Sequence, residues 1–274
     1  MLDSPYAIDA ARLQRVRGRA HVVMGVSGLK DLYQQGSAKA MLPRVHSAVP
    51  EVVFLNTSGG LTAGDRLDYR LEVEAGGALI GTTQTAERAY ASVAEGADAE
   101  VSVDLVAGAG ARLDWLPQET ILFETARLTR LTRAEIAGDA RFLFSEMVVL
   151  GRAAMGETVE TLHLSDRREV HRAGRLEFLE PLEIDAGLLA QRDNPALLSG
   201  ARAIATVGLF APGAEALADL VKPIQHDGVT AGVSGWSGKL VIRAMAPDGY
   251  PLRCYVAQVL TKIRQADLPR VWQM

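Results

Sequence analysis

Apolar and polar residues alternate with period two along much of the chain, the signature of strands that bury one face. In Asp68–Glu74, Tyr69, Leu71 and Val73 face one way while Arg70, Glu72 and Glu74 face the other. Ala99–Leu105 repeats this pattern, and Ala111–Trp115 and Glu160–Leu164 show it over shorter spans. Arg141–Leu150 and Ala201–Phe210 are more uniformly apolar, as strands covered on both faces should be. Gly76-Gly77, Gly108, Gly110, Gly138-Asp139 and Ala173-Gly174 separate these runs and predict turns.

Helical spacing is confined to the C-terminal third. Gly213–Val221 follows Pro212, sets Ala214, Leu217 and Val221 on one face, and carries Glu215 in its first turn and Lys222 at its end. Leu252–Ile263 places Leu252, Val256, Val259 and Ile263 on one stripe with Tyr255 and Leu260 beside them, which predicts an amphipathic helix. A shorter helical turn is expected around Ala186–Gln191, ending before Pro195. Strand follows strand for roughly 180 residues without the 10–15-residue helices of a doubly wound fold, so a mostly-β body is expected. No strict repeat of about 20–50 residues is visible, and no linker divides the chain. One domain over residues 1–274 is the simplest organisation.

Composition narrows the function classes. The 274 residues carry a formal charge of −4, which argues against nucleic acid, whose phosphates call for a basic stripe. Hydrophobic residues make up 48%, enough for a sizeable core, and aromatics only 5%, so that core must be aliphatic. The lone Cys254 excludes an internal disulfide framework and reads as a buried thiol. The N-terminus has no apolar segment of secretory length and no run is long enough to span a membrane, so a soluble cytoplasmic protein without a membrane partner is expected.

The densest motif is Asn56–Asp65, NTSGGLTAGD. Gly59 and Gly64 have the spacing of a phosphate-binding loop, but Asp65 stands where that loop needs lysine and would repel phosphate. A tight strand-to-strand turn is the alternative. Gly108–Leu113 opens like a dinucleotide fingerprint but lacks the third glycine and a following helix. Gly232, Gly235 and Gly238 read as a glycine-rich turn region. The histidines, His21, His46, His163, His171 and His226, form no metal-ligand spacing, so no tight transition-metal trap is expected. Carboxylates and carbonyls bind such ions more weakly and suit a passage that must not retain its ion. No G-x-S-x-G elbow is present. Glu119, Glu124, Glu146 and Glu157 read as turn and strand-surface residues. Arg167, Arg168, His171, Arg172 and Arg175 read as a solvated face, with a protein-docking patch as second choice.

Five stretches together resemble the urease accessory protein UreD (UreH) family: Tyr33–Gly36, Asn56–Leu67, Thr82–Ser92, Leu113–Phe123 and Ala140–Glu157. Within them Gly59, Gly60, Gly64, Gln84, Gln118, Gly151, Arg152, Gly156 and Glu157 carry the motif. The likeness is firm over residues 30–185 and weaker through Pro269-Arg270-Val271-Trp272. Ala63 stands where glycine is common, and Thr125 follows Phe123-Glu124 where the family often has aspartate-glycine. The resemblance implies a β-helical or β-sandwich-like body with about two α-helices in its C-terminal part. It also implies a non-enzymatic maturation factor that acts with UreF and the GTPase UreG on apo-urease during GTP-dependent nickel insertion. No cofactor would be tightly bound, and nickel would pass transiently. Asp65 and Glu87, with Glu119 as a third, are the expected groups along a nickel route, because they lie in the matched loops. The helices Gly213–Val221 and Leu252–Ile263 are candidates for the UreF interface or for packing on the β body. The competing classes are an independent hydrolase, for which no nucleophile–base pair is visible, and a passive β-fold binding module without a role in metal transfer.

Overall fold

A computed structural model describes residues 15–44, 49–92 and 97–273, and shows a coil of parallel strands forming two facing sheets. The strands are β1 (Arg17–Gly25), β2 (Gly28–Gly36), β3 (Ala38–Met41), β4 (Glu51–Asn56), β5 (Arg66–Val73), β6 (Ala78–Thr83), β7 (Glu87–Ala89), β8 (Ala99–Ala107) and β9 (Arg112–Leu116). Then come β10 (Thr120–Leu122), β11 (Arg127–Ile136), β12 (Arg141–Leu150), β13 (His163–Arg172), β14 (Arg175–Ile184), β15 (Ala203–Phe210), β16 (Thr230–Trp236) and β17 (Lys239–Ala246). Three α-helical segments, α1 (Ala186–Leu189), α2 (Ala218–Val221) and α3 (Gly249–Arg264), follow β14.

The first sheet runs β14-β13-β11-β8-β5-β1-β2, and its five inner strands are mutually parallel. The second runs β16-β17-β15-β12-β9-β6-β4-β3, parallel from β4 to β12 and antiparallel at both ends. The short β7 and β10 pair in parallel with each other, and β10 with the end of β12. The chain thus passes from one sheet to the other and back, coil after coil, as a β-helix. Arg66 lies beside Glu100, Ala99 beside Leu128 and Arg127 beside His163, so successive coils consume unequal lengths of chain. That inequality hides the repeat from any search for a fixed period.

Alternation sets which side chains enter the space between the sheets. From β5, β8 and β13, Leu67, Leu71, Leu105, Leu164 and Val170 point inward and are buried, joined across the gap by Leu79, Leu113, Phe142 and Phe144. The second sheet buries its other face beneath α3. Leu252, Tyr255, Val256, Val259, Leu260 and Ile263 of that helix pack with Leu116, Leu143, Met147, Val207 and Ile242. Each such aliphatic side chain contributes about 1.5–3 kcal/mol on burial. The Asp248 side chain accepts from the Gly249 N–H at the start of α3, and Lys262 and Arg264 occupy the last turn. Asp114, fully buried in β9, joins the same helix to the sheet by pairing with Arg112, Arg141 and Arg264.

Several sequence expectations change at this level. Glu160 and Thr161 precede the strand that begins at His163, because their N–H groups are taken by the Glu124 carboxylate instead of a ladder. Gly213–Val221 is not one helix: a 3₁₀ turn over Ala214–Leu217 hands over to a single α-turn, α2. Gly232 and Gly235 lie within β16 and only Gly238 is in the turn. A Cβ on Gly235 would come within 2.9 Å of the Glu215 carbonyl oxygen, so glycine lets the 3₁₀ turn press onto the strand. Cys254 is half-buried in α3, not enclosed, because it sits beside the helix's apolar stripe. His46 and the first 14 residues lie outside the described residues.

Candidate functional site

Two columns of inward-facing residues run across the first sheet and change character along it. The register aligns Leu67, Val101, Arg130 and Asp166 in one column, and Tyr69, Val103, Thr132 and Arg168 in the next. The columns are apolar over β5 and β8 and ionic over β11 and β13. The polar end lies beside a cavity of about 90 Å³, large enough for several water molecules. The cavity runs from exposed Gly59, Gln84, Thr85 and Arg88 at its mouth to buried Thr120, Arg130 and Glu146 at its inner end.

The glycine loop builds the mouth. The Asn56 carboxamide oxygen accepts from the Ser58 N–H at 3.1 Å and hydroxyl at 2.6 Å, and its amide donates to the Gly60 carbonyl at 3.3 Å. Gly60 has φ +154°, and a Cβ there would stand 2.2 Å from the Tyr90 ring. The Leu61 N–H donates to the Arg88 carbonyl at 2.7 Å, stitching the loop to β7. Loop and β7 together present Glu87 to the cavity, with the Asn56 amide 3.4 Å from both its carboxylate oxygens. Burial pushes the Glu87 carboxyl up to about 7, against the pull of the Asn56 amide and the Arg88 backbone and charge. The same burial, aided by the neighbouring Glu87 charge, raises the Tyr69 phenol.

The inner end is an ion-pair chain. Arg130 donates through Nε and Nη2 to Asp166 at 2.9 and 2.6 Å, and through Nη1 to Thr120 Oγ1 at 2.9 Å. The same Nη1 lies 2.8 Å from Glu146, which also accepts from Trp115 Nε1 and Thr132 Oγ1 at 3.2 Å. Arg168 donates through Nη2 to Asp166, and through Nη1 to Glu180 at 2.8 Å and Thr206 at 3.2 Å. Burial alone would raise the Asp166 carboxyl, but Arg130 and Arg168 override it and hold it down at about 2. Beyond Arg168 a groove of about 510 Å³ opens between β14 and the β15–β17–β16 edge, lined by Leu182, Ile204, Ala231, Ala244 and Met245.

The three sequence-predicted route carboxylates are not brought together. Glu87 lines the cavity. Asp65, though buried, accepts from the Val16 N–H at 2.7 Å and the Thr62 N–H at 2.9 Å and so locks the loop's exit. Glu119 pairs at 3.0 Å with Arg253 of α3. Arg253 also donates to Gln118 and to the Trp272 carbonyl, and lies 4.8 Å from the Trp272 ring centre, so the C-terminal turn braces the cavity wall. Of the motif residues, Gly59, Gln84 and Gln118 line the cavity. Gly64 has φ +82° in the loop, and its N–H donates to the Asp98 carbonyl. Gly151, Arg152, Gly156 and Glu157 form a separate loop, in which Glu157 accepts from the Arg152 N–H and Nε and the Glu124 N–H. Gly151 and Gly156 there have positive φ.

Two surface readings are overturned. Arg168 belongs to the interior, 4% exposed, while Arg167 on the opposite parity is solvated. Glu146 is likewise interior, because it shares parity with Phe142 and Phe144 in β12. Arg130 and Asp166 follow the same rule: Arg130 shares parity with Leu128, Ala134 and Ile136, and Asp166 with Leu164 and Val170. Among the described residues no three His, Cys, Asp or Glu side chains are placed to hold a metal ion. His163 faces Asp98 at 3.5 Å and His171 faces Glu169 at 3.0 Å, well apart in partner and strand position. No helix among the described residues is long and apolar enough to cross a membrane.

Comparison with known proteins agrees over nearly the whole chain. The family model described as UreD urease accessory protein matches residues 12–273. A urease accessory protein UreD of Dinoroseobacter shibae is 55% identical over 96% of this chain and 94% of its own length. That of Paracoccus denitrificans is 48% identical over 98% and 96%, and that of Rhizobium leguminosarum bv. viciae 42% over 97% and 98%. A match of this extent, over residues 12–273, makes this chain a member of the UreD urease accessory protein family.

Proposed function

We propose that this protein is a non-catalytic urease maturation factor of the cytoplasm. It binds apo-urease and, with UreF and the GTPase UreG, enables GTP-dependent incorporation of nickel, for which its interior is the passage. The family match over residues 12–273 carries the maturation role. The cavity leading past Glu87 to the buried Glu146 supports the passage, since oxygen ligands bind nickel weakly enough to release it. The ion would enter as cargo and leave with the enzyme it completes.

Deleting this protein and measuring nickel in assembled urease tests the reading. Nickel-poor, inactive urease is expected, and replete enzyme would overturn it. Replacing Asp65, Glu87 and Glu119 singly with Ala and measuring nickel per urease then tests the route. Glu87→Ala is expected to lower loading most, because Glu87 alone of the three faces the cavity. Full loading by all three variants would remove the route from the reading.

A further inference from the structure

The two sheets do not end together. The first stops at β14, while the second continues past β15 through β17 to β16. β14 reaches that extension by two ion pairs, Glu177 with Lys239 and Glu180 with Arg243, each at 2.6 Å. Beyond them the inward face of β16 has no roof among the described residues. Thr230, Gly232, Ser234 and Trp236, placed on that face by their register with Met245, Arg243, Val241 and Lys239, are all exposed. Leu182, Ile204 and Met245 also turn inward but are only half-buried, and they line the groove of about 510 Å³ left by the missing cover.

One side of this groove is a bare strand edge. Among the described residues β14 pairs only with β13. Pro181 has no N–H to give yet sits in unbroken register opposite Arg167, so its nitrogen lies on the edge away from β13. Leu179 and Glu183, two residues to either side, therefore direct their N–H and C=O groups outward, where a further strand can pair with them. The opposite wall carries Gly232. Gly235 must be glycine because the Glu215 backbone crowds it, but a Cβ on Gly232 meets nothing within 4 Å. A strand glycine with free space above it marks the approach of another backbone. The charged groups of the lining are already neutralised, Arg168 and Arg243 both by Glu180, so the groove suits uncharged side chains.

We propose that the groove receives one extended segment of apo-urease, which adds to the free edge of β14 as an eighth strand of the first sheet and roofs β16. Its inward positions carry small or apolar side chains set over Leu182, Met245 and Gly232. Trp236, 43% exposed, continues the same face and offers an aromatic anchor. A second copy of this chain does not fit, because its own second sheet would fill the space beneath the paired edges. The occupant is therefore a tail or loop, not a sheet edge. The candidate surfaces for UreF, α3 and the 214–221 turn, pack on the other face of the second sheet, as the contact of Glu215 with Gly235 shows. The groove is thus left to the other partner, and both can be held at once. The inference rests on the maturation reading for the identity of that partner.

Backbone amide exchange of the full chain, free and bound to apo-urease, tests the strand addition. The Leu179 and Glu183 amides should slow by about tenfold or more on binding, while those of Glu180 and Leu182, already bonded to β13, keep their rates. Unchanged exchange at Leu179 and Glu183 in a complex that has formed overturns the inference and leaves the maturation reading standing. Gly232→Leu fills the groove from a position with free space, so its melting temperature should match the parent's while its affinity for apo-urease falls by about tenfold. Parental affinity in the folded variant overturns the inference. If that variant does not fold, Leu179→Pro decides by the same measure, since it deletes a donor on the free edge only. If the parent chain forms no complex with apo-urease, the inference falls, and the deletion strain then separates the two readings. Nickel-poor urease in that strain keeps the maturation role, and replete urease removes it as well.

Discussion

Arg264, in the last turn of α3, donates through Nε to Asp114 Oδ2 at 2.9 Å across 150 residues of sequence. Asp114 has no exposed surface and is shared with Arg112 at 3.1 Å and Arg141 at 2.7 Å. Burial would raise its carboxyl, yet Arg141 and Arg112 hold it below the usual carboxylate range. One carboxylate therefore fastens the helix to the sheet and neutralises neighbouring arginines. Asp114→Ala leaves those arginines facing each other and should cost about 3–5 kcal/mol, read from the urea midpoint. Arg264→Met removes one of three partners and should cost less, about 1–3 kcal/mol.

Acid and neutral pH should act on the interior with opposite sign. Asp166 has its folded pKa depressed from 3.8 to about 2, so its contribution is present above pH 3.8 and is lost as pH falls toward 2. Glu87 is raised from 4.5 to about 7, so the folded state holds the extra proton and stability declines as pH rises from 4.5 to about 7. That decline amounts to at most about 3 kcal/mol, reduced by whatever solvent screens at its partly exposed edge. Glu87→Gln should flatten the melting temperature between pH 5 and 7.5 and raise it at the upper end. An unchanged slope in the variant would assign the decline to other groups.

Gly60 is the tightest point of the glycine loop. Gly60→Ala drives a methyl group to 2.2 Å from the Tyr90 ring and 2.8 Å from the Arg88 carbonyl oxygen, at a φ that L residues rarely adopt. A loss of about 1–3 kcal/mol is expected. Gly59→Ala, also at positive φ but with open space around its Cβ, should cost less. Thermal melts of the two variants side by side separate crowding from backbone strain.

Arg253 braces the cavity wall from outside. Arg253→Met keeps a long apolar stem against Trp272 but deletes the donors to Gln118, Glu119 and the Trp272 carbonyl. Overall stability should fall by only about 1–2 kcal/mol, while amide exchange in Gln118–Thr120 rises sharply. Equal protection in variant and parent would show that the wall holds without the brace.

The strands with clean alternation, such as Asp68–Glu74 and Ala99–Leu105, were legible, as was the apolar stripe of α3. The glycine turns at Gly76, Gly110 and Gly174 were too, each at positive φ. The ionic interior was not, because a residue such as Arg168 carries the composition of a surface and only its parity with Val170 betrays its side of the sheet. Strands β2 and β16 were missed for a different reason: at the sheet edges almost every residue is exposed, so no apolar phase marks them. Glu124 and Glu157 illustrate a further limit. Their bonds to the Thr161 and Arg152 backbones close loops over long or irregular separations that no local pattern encodes.

Arg130 and Asp166 sit side by side only because β11 and β13 are stacked in one particular register. Displacing either strand by a single residue would preserve a hydrogen-bonded parallel ladder and much of the β signal in circular dichroism, yet turn that strand's ionic group out to solvent. Such a molecule would look folded to a spectrometer and have lost its interior chemistry. For this architecture, therefore, correctness of folding is a question of coil alignment, and a quality check on purified protein should probe the Arg130–Asp166 contact itself rather than strand content.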